Sequence, residues 1–267
     1  MAGPRRDTRG IVDAPGLFTR VRFRRHEPAP ALRPYLEHYW LIDWDLTEPY
    51  VSHVVPHPSV NVVFQRHPGL PAYGEVAGVG LELSAHRLEG AGRVCGVQFR
   101  PGGFRPFAPR FPVSRWTGLR VPLAAAFPGV ADDAAARVLD GGSDAERVAA
   151  LDAFLLARDP EPSRAADRAT ELVGRVRADR GVRRVAAFAA AEGMSVRSMQ
   201  RLFAAYVGVS PKWVVLRYRI HEALERAATG AGTDWAALAA DLGYSDQAHL
   251  VRDFTATVGV PPSAYAR

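Results

Sequence analysis

Between Ser195 and Arg201 the chain reads SVRSMQR. If this run is helical, Arg197, Ser198, Gln200 and Arg201 fall on the side opposite Met199, Leu202 and Phe203. These groups are suited to recognition rather than bond-making. A guanidinium fork matches O6 and N7 of guanine, and a carboxamide matches N6 and N7 of adenine. The same donors also hold phosphate oxygens. Catalytic residues gather nowhere in comparable fashion: the chain contains no Ser-His-Asp, phosphate-loop or paired-carboxylate arrangement.

The elements that must carry this polar set occur twice. RLFAAYVGVSP (Arg201 to Pro211) is matched by RDFTATVGVPP (Arg252 to Pro262) at an offset of 51 residues. Upstream, VAAFAAAEGMS (Val185 to Ser195) is matched by WAALAADLGYS (Trp235 to Ser245) at an offset of 50. Self-similarity of this kind marks a duplicated module, one copy being a residue longer. Val185, Phe188 and Ala189 recur at helical spacing, as do Trp235, Leu238, Ala239 and Leu242. Gly193 and Gly243 stand where a helix end requires positive φ. Ser195 and Ser245 follow as expected N-caps. A second amphipathic helix comes after each cap, with Met199, Leu202, Phe203 and Tyr206 in one and Leu250, Phe254 and Val258 in the other. Short helix, Gly turn and capped second helix are the parts of a helix-turn-helix, whose second helix enters the DNA major groove. Phe203, Phe254 and the two Val-Gly-Val runs read as core and turn.

Charge is distributed to match. The 267 residues carry a formal net charge of +6, and Lys212 is the only lysine. Up to Ser163 there are 19 Arg against 18 acidic residues, whereas beyond it 15 Arg and Lys face 10 acidic residues. The excess therefore travels with the repeat, as a polyanion partner requires. A hydrophobic fraction of 48% with 23% charged residues is a globular composition. One cysteine, Cys95, rules out an intrachain disulfide and any Cys-rich zinc module. No apolar run reaches membrane-spanning length and no signal core follows the N-terminus, so a cytoplasmic protein is expected.

Residues 1–13 are charged and Gly-containing and are expected to be disordered. Residues 14–122 read as a β-rich domain. FTRVRFRR, HYWLIDWDL, VSHVV, VNVVFQ, YGEVAGVG and RVCGVQF are its strands, and a short helix is expected near Tyr35 to His38. Their spacing suggests a small β-barrel of cupin-like form or a sandwich, with flanking helices. Residues 123–164 form a helical connector with helices at Asp132–Leu139 and Ala145–Ala157, the latter a candidate dimerisation element. ARDPEPSR (Ala157 to Arg164) is the linker. The fold class expected is thus α+β with two domains. Six of the eight histidines lie in the N-terminal part. His53 and His57 with Cys95 suggest a metal site only superficially, because this spacing on strand or loop does not put both histidines on one side. No metal or other cofactor is expected. Trp40, Trp44 and Phe64 suit either a core or an apolar ligand pocket, with His53 and His57 as further candidates for it. Cys95 alternates with Val94 and Val97 as a buried strand residue would.

SVRSMQRLFAAYVGVSPKWVVLRYRIHEAL and LGYSDQAHLVRDFTATVGVPPSAYAR resemble the DNA-binding domain of the AraC/XylS family of transcriptional regulators, over roughly residues 165–267. The resemblance implies seven helices, two helix-turn-helix units joined by a long helix from Pro211 to about Ala228. It also implies recognition helices entering successive major-groove turns. By that resemblance Ser245, Gln247, His249 and Arg252 join Ser195, Arg197, Ser198, Gln200 and Arg201 as DNA-contacting residues. Ala248 and Val251 depart from the pattern, standing where other members often carry longer polar groups. Arg252 has a second role open to it, an ion pair with Asp241 or Asp253. FRPGGFRPF, preceded by PHPSVNVVF, more loosely resembles the β-rich regulatory domain of a subset of the family, which senses a small molecule or mediates dimerisation. The partners implied are duplex DNA, a small-molecule effector and, for an activator, RNA polymerase, with the chain a monomer or homodimer. The competing readings are a metal-dependent enzyme or metal or redox sensor on the N-terminal domain, an alkyl-accepting repair protein (which needs more cysteines), and a degenerate interaction module.

Overall fold

The computed structural model describes residues 10–228 and 233–265. Asp13 caps a short helix, α1 (Ala14–Phe18), accepting from the Gly16 amide at 2.9 Å. Ile11 bridges to Val54 and the Val12 amide donates to His53 O at 3.0 Å. Residues 10–13 are therefore ordered, against expectation, because their backbone finds strand partners. Residues 1–9 lie outside the described residues.

Alternating patterns in some strands and continuous apolar runs in others then build β1 (Val21–His26), β2 (Leu36–Val54), β3 (Asn61–Arg66), β4 (Tyr73–Ala77), β5 (Ser84–Phe99) and β6 (Arg120–Pro122). All pairings are antiparallel, in the order β1-β2-β5-β3-β4-β6. The domain is β-rich with flanking helices, as expected, but its sheet stays open instead of closing into a barrel. HYWLIDWDL and VSHVV are one strand, β2, with a register shift between Leu46 and Tyr50. Pro49 lies at that irregularity, where its missing amide is tolerated. The helix expected at Tyr35–His38 gives way to a 3₁₀ turn at Pro30–Leu32, since Leu36 already pairs with Phe99.

Three helices, α2 (Leu123–Ala126), α3 (Ala134–Leu139) and α4 (Asp144–Leu156), cover one side of the sheet. Tyr39, Leu41, Phe64, Cys95 and Phe99 pack there with Leu139, Leu151 and Leu155. Phe64 meets Phe154 edge-to-face at 5.0 Å. The segment read as a connector is thus part of the first core. The apolar side of the candidate dimerisation helix faces the sheet, where a second copy cannot reach it. Val63, Ala77, Val94 and Trp44 point to the other side, with Trp40 and Ile42.

Seven helices follow among the described residues: α5 (Arg164–Ala178), α6 (Val185–Ala191), α7 (Val196–Tyr206), α8 (Pro211–Ala228), α9 (Trp235–Asp241), α10 (Gln247–Val258) and α11 (Pro262–Tyr265). α8 is the long connecting helix expected between the two units. ARDPEPSR is no free hinge. The Glu161 amide donates to Pro106 O at 3.3 Å, and Phe203 and Val207 share a core with Val113 and Trp116. The second unit has its own core of Leu238, Leu242, Leu250, Phe254 and Val258, joined by Val55 from the N-terminal domain.

Candidate nucleic-acid interface

α7 presents its polar side as the sequence pattern requires. Met199 and Phe203 are fully buried, whereas Arg197, Gln200 and Arg201 are exposed. Ser195 is the N-cap, its hydroxyl accepting from the Ser198 amide at 3.1 Å. The two hydroxyls also meet at 2.9 Å, so Ser198 closes the cap. Gly193 holds the turn at φ 66°. What this unit offers a base edge is two guanidinium forks and one carboxamide.

The second unit differs at its start. Asp246, not Ser245, caps α10, its carboxylate accepting from the His249 amide at 2.7 Å. The caps thus align Asp246 with Ser195 and leave Ser245 as the additional residue of the longer copy. Placing Asp246 opposite Ser195 brings Ala248 opposite Arg197, Val251 opposite Gln200 and Arg252 opposite Arg201. Two of the three reading positions therefore hold aliphatic side chains. Ser245 contacts His249 Nδ1 at 3.3 Å and Asp246 at 3.1 Å. His249 is half-buried, edge-on to Tyr244 at 5.2 Å and 3.8 Å from Asp253. Gln247 and Arg252 are exposed. Arg252 takes neither expected ion pair, because Asp241 is held by Arg226 at 2.9 Å and Asp253 faces His249.

Electrostatics separate the cations of this region into two groups. Arg168 and Arg175 share Glu192 at 2.8 and 2.7 Å, and Arg180 pairs with Glu222 at 2.6 Å. Arg197, Arg201 and Arg252 have no carboxylate within ion-pair distance among the described residues. Five arginines of this region are paired in this way, whereas Arg197 and Arg201 on α7 and Arg252 on α10 are not. Lys212, Arg217 and Arg219 on α8 are likewise outside any ion pair among the described residues. The Asp246 carboxyl, lowered first by its bond from the His249 amide, is lowered further by the nearby Arg252. An unneutralised exposed guanidinium is ready to exchange counterions for phosphate.

In the N-terminal domain the five candidate ligand residues are not one site. Trp40 and Trp44 share a sheet face, their indoles lying over Gly96 and Gly92 and donating to Asn61 Oδ1 at 3.4 Å and Glu89 O at 3.1 Å. Phe64 is on the opposite face, inside the helix-covered core. His53 is exposed on β2. His57 lies beyond β2 against Tyr218 and His221 of α8, at ring distances of 5.6 Å. Sequence reading missed the polar cluster beside the tryptophans. His67, 5.5 Å from Trp44, meets Gln65 at 3.1 Å; Gln65 donates to Glu75 at 2.7 Å, and Glu75 holds Arg120 at 2.6 Å. Gln65, Glu75 and Arg120 come from three strands, His67 follows directly after β3, and only the sheet register unites them. Among the described residues no group of three metal-ligating side chains forms. Burial pushes the Cys95 thiol up to about 11, opposite to the activation a reactive thiol needs.

α8 also anchors the N-terminal domain, through residues to which the sequence reading assigned no role. His221 meets Pro56 O at 3.1 Å and Arg217 donates to Leu81 O at 3.1 Å, both buried. Thr117 donates to Gly208 O at 2.7 Å, just past α7. The connecting helix and the first unit are therefore held by the sheet domain. No helix among the described residues is long and apolar enough to cross a membrane.

Comparison with known proteins locates both halves. Residues 188–267 match a family model described as a helix-turn-helix domain, and residues 24–122 match one described as a domain of unknown function. No curated protein matches the chain. Among solved structures, ToxT from Vibrio cholerae in its P21 form aligns at 10% identity with a TM-score of 0.44, covering 91% of this chain and 97% of that one. ToxT from V. cholerae strain SCE256 with unsaturated fatty acid bound aligns at 12% identity and a TM-score of 0.40, covering 90% and 96%. ToxT from V. cholerae O395 bound to (E)-4-(8-methylnaphthalen-1-yl)but-3-enoic acid aligns at 11% identity and 0.44, covering 85% and 96%. With the duplicated motif, the capped helix α7 and the family match over residues 188–267 in hand, the C-terminal part of the chain is a DNA-binding helix-turn-helix domain of the AraC/XylS type, and it stands behind an N-terminal domain of unknown function.

Proposed function

We propose that the chain binds specific duplex sites by placing α7 and α10 in two successive major-groove turns, about 34 Å apart on one side of the helix. The two heads work unequally. α7 reads bases through Arg197, Gln200 and Arg201. α10 anchors, with Gln247 and Arg252 on phosphates or single bases and Ala248 and Val251 giving methyl contacts. The observation carrying this reading is that Arg197 and Arg201 on α7 and Arg252 on α10 are exposed and in no ion pair among the described residues, beside a buried, capped helix face that fixes their direction. The N-terminal domain senses a small effector on the sheet face bearing Trp40 and Trp44, where the Gln65–Glu75–Arg120 cluster supplies polar groups beside aromatic walls. α8 transmits the response, since it touches that domain and both units.

The test is selection of duplexes from a random library with the full chain, then footprinting with and without candidate metabolites. The expected footprint is two protected patches one helical turn apart on one side, the patch under α7 being more stringent in sequence. A single patch, or protection unrelated to sequence, would overturn the two-head reading. Footprints unmoved by every metabolite that shifts tryptophan fluorescence would remove the effector role.

A further inference from the structure

The loop that leads into the first helix-turn-helix unit touches the turn of the second. Arg183, in the loop before α6, lies across the turn of the second unit: a Cβ placed on Gly243 would come within 2.8 Å of its Nε. Gly243 has φ 74°, so glycine is required there on conformational grounds as well. From α8, Arg219 donates to Arg183 O at 3.4 Å, and its guanidinium lies over the Tyr244 ring at 5.7 Å. Tyr244 in turn is the residue against which His249 of α10 packs. A continuous path thus runs from the first unit, over the connecting helix, to the start of the second reading helix.

Both guanidiniums at this seam lack a carboxylate within ion-pair distance among the described residues, although five other arginines of the C-terminal region have one. Arg183 is exposed and Arg219 half-buried. Burial apart, Arg219 feels the charge of Arg183, which Asp253 of α10 offsets only in part, and an anion between the two guanidiniums relieves that repulsion. A protein whose heads enter successive major grooves must span the intervening minor groove, and cations between the heads are then the groups placed to meet its flanking phosphates. We propose that Arg183 and Arg219 form a clamp for DNA backbone phosphate between the two heads, adding sequence-independent affinity. This rests on the DNA-binding reading above and adds a third contact that neither reading helix supplies.

The experiment measures binding of the full chain to a duplex selected from a random library, and to a scrambled duplex, over a salt series. R183Q and R219Q are expected to lower the slope of log affinity against log salt by about 0.9 for each lost contact. That corresponds to a roughly 3.5-fold smaller loss of affinity between about 50 and 200 mM salt. Weakening should be equal on both duplexes, and R183K should retain the slope. Unchanged slopes in both Gln variants, or weakening confined to the selected duplex, would overturn the clamp and leave the reading heads in place. Wild-type chain that binds no duplex at low salt would instead remove the DNA-binding reading itself. R183Q changes an exposed side chain, so its result stands even if R219Q folds poorly.

Discussion

Arg201 and Arg252 occupy equivalent positions in the duplicated units, yet their surroundings differ. Arg201 stands one turn from Arg197 and beside Gln200, so donors of the kind that match base edges surround it. Arg252 has Ala248 and Val251 for neighbours on its helix face. Arg201→Ala is therefore expected to cost about 1–3 kcal/mol of binding and to relax preference at one base position. Binding to the selected duplex and its single-base variants checks this, and equal loss on every duplex would reassign Arg201 to phosphate. Arg252→Ala should weaken all duplexes alike. Arg217 poses the opposite problem. Burial pushes its guanidinium down to about 10, and its Nη1 finds no partner in the protein interior. One carbonyl bond and the Trp213 ring at 4.5 Å are modest compensation for a desolvated charge. Arg217→Met should leave thermal stability unchanged or raise it. A fall of several degrees would show that the Leu81 contact outweighs the cost of burial.

At the scale of elements, helix ends and helix docking decide what is stable. Asp246 closes α10 while Ser245 does not, so Asp246→Ala should cost about 0.5–2 kcal/mol and Ser245→Ala a few tenths at most. Denaturant unfolding of the two variants makes the comparison, and equal losses would return the cap to Ser245. In the N-terminal domain the first turn of α4 is tied to the sheet by charge. Asp144 meets Arg24 at 2.6 Å and Arg147 at 3.3 Å, and Asp43 meets Arg147 at 2.8 Å. The hydrogen bond from Arg24 holds the Asp144 carboxyl down at about 2, and Asp43 is lowered by its Arg147 and Arg24 bonds against the opposing effect of burial. A carboxylate whose folded pKa is depressed contributes stability that is present above its unfolded value, near 3.9. That contribution is lost as pH falls toward about 2. For Asp144 it is on the order of 2 kcal/mol. Urea midpoints should therefore hold steady from neutral pH to about 5 and fall between about 4 and 2. Asp144→Asn should lower the neutral midpoint and flatten the acid limb, and an unaltered acid limb would show that other carboxylates control it.

The whole molecule behaves as two packed bodies whose border does not follow the linker. Phe203 of the first unit is fully buried in a core shared with Val113 and Trp116, so that unit belongs energetically with the sheet domain. Phe203→Ala should cost about 3–5 kcal/mol and shift the melting of the sheet domain together with it. A variant that melts only α5–α8, leaving the sheet signal in place by circular dichroism, would contradict the shared core. The second unit, with its separate core, should keep its own transition. This asymmetry matches the proposed roles: the head proposed to read bases is fixed to the sheet domain, and the head proposed to anchor is held by α8, the Arg183–Gly243 contact and Val55.

The repeat, its turns, the long connecting helix and the exposed polar set of α7 were legible in the sequence, because 3.6-residue periodicity, positive-φ glycines and caps are local properties of a chain. The strands were legible as apolar runs for the same reason. Their joining into β2, the sheet order and the company kept by Trp40, Phe64 and His57 were not, since strand pairing is decided by partners far along the chain. The shift of the cap from Ser245 to Asp246 turned on one residue that both alignments of the repeat allowed. The seam of Arg183 with Gly243, and the burial of Arg217 and His221 against Leu81 and Pro56, depend on how separate elements dock, and packing of that kind leaves no periodic trace in a sequence.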